Sequence, residues 1–209
     1  MRIETGINFN FGVVMNIGLY KYSAKACFDV YDNHTDLGLT QCRHYIATIN
    51  GRRFQVLSIA GTNEALDWFS NLNLFSWCGI KIGAYLSAKK IHKHYKKILK
   101  NHQYLPLLVT GHSLGGATAL AFKKKYGCAY CIAFAPARTF RYWVNRKLSN
   151  TTIFIDPDDI VTKLGFISFG HPICGVVKAR ENHEFYSIGD HVMKHWLEFT
   201  GKMTGDGSA

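Results

Sequence analysis

The stretch Val109-Thr110-Gly111-His112-Ser113-Leu114-Gly115-Gly116-Ala117, VTGHSLGGA, closes one apolar run and opens an alanine-rich one. Leu107–Thr110 reads as a strand and Leu114–Lys125 as a helix, so Ser113 falls on the turn between them. A G-x-S-x-G at such a turn bends the chain so sharply that the serine is pushed up at the strand end. Glycines at 111 and 115 leave room for backbone where a side chain would collide. A serine that merely caps a helix in a glycine-rich turn is the plainer reading of five residues. The strand before it and the helix after it favour a nucleophile elbow. A serine hydroxyl is a weak nucleophile, so acyl transfer from this position needs an imidazole to take its proton and a carboxylate to orient that imidazole.

Outward from the elbow, strands and helices alternate. Phe11–Tyr31 reads as a helix, and Tyr45–Ile49 and Phe54–Ile59 flank Asn50-Gly51, a pair suited to the positive φ angles of a tight hairpin turn. A helix over Ile82–Lys100 follows. Beyond the elbow come a strand at Ala129–Phe134, a basic and aromatic stretch over Arg138–Lys147 and a strand at Thr152–Ile155. The alternation predicts an α/β fold with a mostly parallel central sheet flanked by helices. Ligands of such sheets gather at the carboxyl ends of the strands, where Ala60-Gly61-Thr62, Ser113 and Asp156 to Asp159 all fall. The 209 residues and the lack of a linker-like stretch predict one domain over 1–200 and a flexible tail over 201–209.

Composition narrows the function classes. With 47% hydrophobic and 19% charged residues the chain is that of an ordinary globular protein, and no apolar run reaches the roughly 18 residues of a transmembrane helix. The amino-terminal MRIETGINFN lacks the layout of a signal peptide, so the expectation is a cytoplasmic protein or one released without that signal. The six cysteines are scattered, and Cys128 and Cys131, the one C-x-x-C, lie in a strand-like run without a second pair. Buried thiols are the expected reading, with no metal. A net charge of +11 attracts anions of any kind. Its densest cluster, KKIHKHYKKILK over Lys89–Lys100, places lysines on one helix face, and Ala84, Ala88, Ile91, Tyr95 and Ile98 lie on another.

In a strand-elbow-helix hydrolase the acid follows the serine and the histidine follows the acid. Asp156, Asp158 and Asp159 meet the first condition, and His171, His183, His191 and His195 the second. Local spacing alone does not choose among them. His191 and His195 also form H-x-x-x-H, but Val192 stands where a zinc peptidase carries its glutamate. His112 is expected to pack under the elbow rather than to act as the base. Charge developing on the substrate carbonyl oxygen needs fixed donors, and the backbone N–H of Leu114, the residue after the nucleophile, is one of them.

Several segments together resemble the class 3 lipase family, the fungal triacylglycerol lipase type of α/β-hydrolase, from about Tyr45 to Trp196. GHSLGGA is similar to its nucleophile elbow, SIAGTNEALDWFSNL (Ser58–Leu72) to its strand ending in G-T or G-S before an Asp-Trp, and KIGAYLSA (Lys81–Ala88) to its H-x-G-F-x-x-A-Y helix start. AFAPARTFRYW resembles F-G-x-P-R-x-G-N, Asp158-Asp159-Ile160-Val161 resembles N-D-x-V-P, and Gly189-Asp190-His191 resembles the terminal D-H. The resemblance implies the three-layer α/β-hydrolase fold, Asp159 as the acid, His191 as the base and the Thr62 N–H as the second oxyanion donor. No cofactor is implied. Thr162 stands where the family has proline, Ala60 where it often has arginine, and the segment from Trp68 to Tyr85 is short for a long helical lid. Phe69, Leu72, Leu74, Phe75 and Trp77 are candidates for an acyl pocket or a small lid.

These readings lead to a serine hydrolase of carboxylic, acyl lipid esters working through Ser113, Asp159 and His191. Phospholipase A1, acyltransferase or thioesterase activity on the same site is the nearest alternative, and a non-catalytic basic binding protein a more distant one. The expected partners are an acyl ester or lipid substrate and an anionic membrane or lipid surface touched peripherally. Nucleic acid is not expected.

Overall fold

The computed structural model describes residues 12–38, 40–61, 76–77, 80–141, 147–156, 159, 162, 169–178 and 193–203. Helix α1 (Gly12–Asp29) is followed by strands β1 (Thr35–Asp36), β2 (Gln41–Ile49), β3 (Arg52–Ile59), β4 (Ser76–Trp77) and β5 (Ile80–Lys81). Then come helix α2 (Ile82–Asn101), β6 (Leu107–His112), helix α3 (Leu114–Tyr126), β7 (Tyr130–Phe134), β8 (Phe140–Arg141) and β9 (Lys147–Ile155). The order closes with β10 (Phe169–Gly170), β11 (Ile173–Lys178) and helix α4 (Met193–Lys202).

The main sheet has the order β1-β2-β3-β6-β7-β9-β11. From β3 to β11 all neighbours are parallel, and β2, antiparallel to both β1 and β3, is the one strand of this sheet that runs the other way. The hairpin between β2 and β3 turns at Asn50 (φ 48°) and Gly51 (φ 76°), the positive pair that an Asn-Gly turn requires. A second, four-stranded sheet has the order β10-β8-β5-β4. Its two-residue strands are too short to leave a periodic signal in the sequence.

Two cores flank the main sheet. Ala84, Ala88, Ile91 and Tyr95 recur every three to four residues along α2 and, with Phe122 and Leu120 of α3, bury one face of the sheet. Leu19 and Ala24 of α1, with Trp196 and Phe199 of α4, bury the other. The three-layer α/β arrangement expected from the alternation is present. α3 stops at Gly127 (φ 74°), and Lys123, Lys124 and Lys125 in its last turn oppose the negative end of its dipole. At the carboxyl end of the chain, α4 runs to Lys202 and Met203 is buried, so residues 201–203, expected as tail, complete a helix end instead. The amphipathic packing of Trp196, Phe199 and Thr200 carries the helix past the point where GKMTGDGSA reads as loop. Among the described residues no helix is long and apolar enough to cross a membrane.

Candidate active site

β6 ends inside the molecule at His112, and Ser113 turns the chain into α3 with φ 55° and ψ −121°. A side-chain-bearing residue at positive φ is strained, and such strain persists only where the surroundings over-determine it. Here they do. The Ser113 N–H donates to Phe134 O at 2.9 Å, and the Ser113 carbonyl accepts the Ala117 N–H at 3.0 Å. A Cβ on Gly111 would run into the Gly115 carbonyl, and one on Gly115 into the Ile59 carbonyl and to 2.6 Å from Ala60 O. Gly111 is therefore demanded by the backbone at the start of α3, and Gly115 by the backbone at the end of β3. Ser113 Oγ is buried and has no hydrogen-bond partner among the described residues.

The end of β3 lies beside this turn because β3 and β6 pair in register, Ile59 with Gly111. A Cβ placed on Gly61 would stand 3.1 Å from Ser113 Cβ and 3.0 Å from His112 O. Tyr31, just after α1, joins the two segments. Its hydroxyl accepts the Gly61 N–H at 3.2 Å and lies 2.9 Å from His112 Nδ1. Burial pushes the Tyr31 phenol well above its ordinary range, so it is a neutral hydroxyl. His112 is buried against it, as expected of a packing residue under the elbow. The N–H groups of Gly61 and Ser113 are thus both engaged within the protein. Leu114 opens α3, and the N–H of a first helical residue has no intrahelical acceptor. Thr62 lies outside the described residues, as do Phe69, Leu72, Leu74 and Phe75.

The acid side of the site follows β9. Asp156 and Asp159 are both fully buried, and the Asp159 N–H donates to Asp156 O at 3.2 Å. Thr162 Oγ1 donates to Asp159 O at 2.9 Å, and Thr162 O lies 3.2 Å from His171 Nε2. Thr162 thereby fixes with its hydroxyl a turn that a proline would stiffen through its ring. On α4, His195 Nε2 stands 3.6 Å from Asp156 Oδ2, its ring edge against Trp196. Asp158, His183 and His191 lie outside the described residues. The described residues thus bring the carboxylate end of Asp156 to His195, a pair that chain order permits but that the family resemblance does not select.

Away from the site, Lys89, Lys93, Lys96 and Lys100 form an exposed stripe along α2, opposite its buried face. His92 on its flank stacks on Tyr126 at 3.9 Å, and burial together with nearby Lys96 lowers its pKa. Cys27, Cys42, Cys128, Cys131 and Cys174 are all free thiols. Burial raises Cys27 to about 12 and Cys42 to about 11. Cys131 is raised by its hydrogen bond with Cys128 and by burial.

Two residues escaped the reading of the sequence as site residues. Tyr31 carries no local signal, since its partners lie 30 and 81 positions away. Thr162 was visible as a departure from the family pattern, without any sign of what the hydroxyl would bind.

The family profile described as Lipase (class 3) matches residues 56–169. A secreted mono- and diacylglycerol lipase of Fusarium solani is 27% identical over 146 residues, 61% of this chain and 44% of that protein, so the chain spans less than half the length of this curated relative. A mutant form of MDLA from Penicillium cyclopium superposes with a TM-score of 0.63 at 19% identity, covering 88% of this chain and 86% of the other. A lipase from Rhizopus microsporus var. chinensis gives 0.63 at 14% identity, covering 92% and 85%. At these identities the superpositions establish a common fold. The profile covers more than half of the chain and includes both Gly61 and the strained Ser113, and the chain belongs to the class 3 lipase family.

Proposed function

We propose that the protein hydrolyses carboxylic esters of acyl lipids through an acyl-enzyme on Ser113. The observation that carries this reading is the left-handed backbone of Ser113, held by glycines that cannot bear a Cβ, with the Gly61 segment against it. In the proposed cycle Ser113 Oγ attacks the ester carbonyl carbon while His191, oriented by Asp159, takes the hydroxyl proton. The N–H groups of Leu114 and Thr62 receive the oxyanion, each contributing about 2.7–4 kcal/mol to its stabilisation. Collapse expels the alcohol, which takes its proton from His191. Water, deprotonated by His191, then attacks the acyl-Ser113 carbonyl; the bond to Ser113 Oγ breaks, Oγ takes the proton back from His191, and the carboxylic acid is released.

A second assignment of acid and base, Asp156 with His195, is favoured by their 3.6 Å approach. It turns Nε2 to the carboxylate and leaves Nδ1 for the serine, the reverse of the usual triad. The same nucleophile would serve a phospholipase A1, an acyltransferase or a thioesterase, which differ in the leaving group or the acceptor rather than in Ser113. The name of the Fusarium solani relative, a mono- and diacylglycerol lipase, supports glycerolipid esters as the first substrates to try. The test is covalent labelling by a fluorophosphonate. Wild type is expected to label and Ser113→Ala to stay folded, lose the label, and fall by on the order of 10⁴ or more in kcat. Full hydrolysis by Ser113→Ala overturns the reading.

We further propose that the lysine stripe of α2 rests on anionic lipid. Between Trp68 and Ile155 the sequence has 14 lysines and arginines and no aspartate or glutamate, whereas the other 121 residues carry 11 basic and 14 acidic side chains. The whole positive excess therefore resides in the segment containing α2 and α3. Leu86, Ile98 and Tyr104 are exposed among these charges, which suits a lipid surface better than a nucleic acid. Each engaged lysine contributes about 1 kcal/mol near an anionic bilayer. Glutamine at Lys89, Lys93, Lys96 and Lys100 is expected to remove most of the salt-sensitive binding to phosphatidylserine vesicles while sparing hydrolysis of a short soluble ester. Equal binding by this variant, or stronger binding to DNA than to vesicles, overturns the proposal.

A further inference from the structure

We infer that Tyr31 is a positioning residue that holds the end of β3 at Gly61 in place against the nucleophile elbow at His112-Ser113, an inference resting on the ester-hydrolase reading above. An oxyanion hole built from two chain segments works only if the segments stay at a fixed separation, because its donors must meet an atom that exists only in the transition state. The two segments here are the end of β3, leading through Gly61 to Thr62, and the end of β6, leading through His112 to Ser113 and Leu114. One hydroxyl touches both. Gly61 N–H donates to Tyr31 Oη at 3.2 Å, and Tyr31 O–H, 2.9 Å from His112 Nδ1, donates to that nitrogen when the imidazole carries its proton on Nε2. Each bonded residue immediately precedes a catalytic one: Gly61 precedes Thr62, and His112 precedes Ser113.

Tyr31 is itself anchored. Ser58 Oγ on β3 donates to Ala26 O at 2.7 Å, and Cys27 Sγ lies 3.1 Å from Thr110 Oγ1 on β6, which in turn donates to Ile132 O at 2.8 Å. With the Cys27 thiol raised to about 12 by burial, it is protonated and donates to Thr110. The last turn of α1 is thus pinned to the same two strands that Tyr31 bridges. α1 lies ahead of residues 56–169, so a residue outside the segment that marks the family controls the geometry inside it.

The experiment separates positioning from mere stability. Tyr31→Phe keeps the ring and removes the hydroxyl, whereas Ser58→Ala and Cys27→Ala cut the other buried bonds of α1 without touching Gly61 or His112. On a short soluble p-nitrophenyl ester, Tyr31→Phe is expected to lower kcat by roughly 10- to 100-fold with KM within about threefold, since a small misplacement of catalytic groups costs about that much. The fluorophosphonate labelling rate should fall in parallel. Ser58→Ala and Cys27→Ala should lower the melting temperature at least as far while keeping kcat within about threefold. Unchanged kcat in Tyr31→Phe, a change in KM alone, or an equal loss in Ser58→Ala at matched stability overturns the inference. Should Tyr31→Phe not fold, His112→Leu, which removes the acceptor and leaves Tyr31 in place, takes its part in the same comparison. Labelling of wild type at Ser113 tests the hydrolase reading separately, so the two fail independently.

Discussion

The two halves of the site are held by different kinds of force. At the elbow, backbone meets backbone: Gly115 has no room for a Cβ beneath the carbonyls of Ile59 and Ala60, and Ser113 sits at φ 55°. Around Asp156 and Asp159, hydrogen bonds span the turn among the described residues: Thr162 Oγ1 reaches Asp159 O at 2.9 Å and Asp156 O at 3.4 Å, and the Asp159 N–H donates to Asp156 O at 3.2 Å. Sterically fixed geometry is rigid and tolerates almost no substitution. Geometry fixed by a few hydrogen bonds is softer, and two carboxylates within one turn can then compete for one imidazole. The nucleophile side of such a site is therefore defined by exclusion, and the acid–base side by a choice between neighbours.

That contrast can be broken most decisively at the histidines. His191→Ala is expected to cost on the order of 10⁴ in kcat and His195→Ala less than about tenfold, with Asp159→Asn and Asp156→Asn dividing in the same way. Turnover against a soluble ester, with folding checked by circular dichroism, reads the result. If His195 and Asp156 carry the larger losses, the 3.6 Å pair is the working one and the soft half of the site has chosen the other neighbour.

The two halves can next be set against each other in stability. Gly115→Ala should lose more than about 3 kcal/mol, because the new methyl must displace backbone of β3 rather than a movable side chain. Thr162→Val should lose only about 1–2 kcal/mol, the cost of leaving buried carbonyls without their donor. Denaturant unfolding measures both. Equal losses would mean that the acid turn is as tightly specified as the elbow.

Much of this was legible in the residues. GHSLG, the strand before it and the helix after it give the elbow, because the collisions that require glycine are the same in any strand-to-helix turn of this kind. Alternating apolar runs give the layers, and Asn50-Gly51 gives its hairpin, since positive φ is a local property of those residues. β8, β10 and their small sheet left no trace, because two-residue strands take their pairing from neighbours rather than from periodicity.

The sequence by itself determined the chemistry on offer: a serine at a strained turn, carboxylates and histidines in hydrolase order, and a segment from Trp68 to Ile155 without one acidic residue. These are properties of local sterics and of composition, and they travel with the chain whatever it packs against. Only the tertiary structure decided that Tyr31 bridges Gly61 and His112, that Thr162 ties the turn between Asp156 and Asp159, and that His195 comes to 3.6 Å from Asp156. A contact between residues 30, 39 or 81 positions apart exists only once the sheet has brought their strands and helices together. The few tenths of an ångström on which it depends are set by packing that no local pattern encodes.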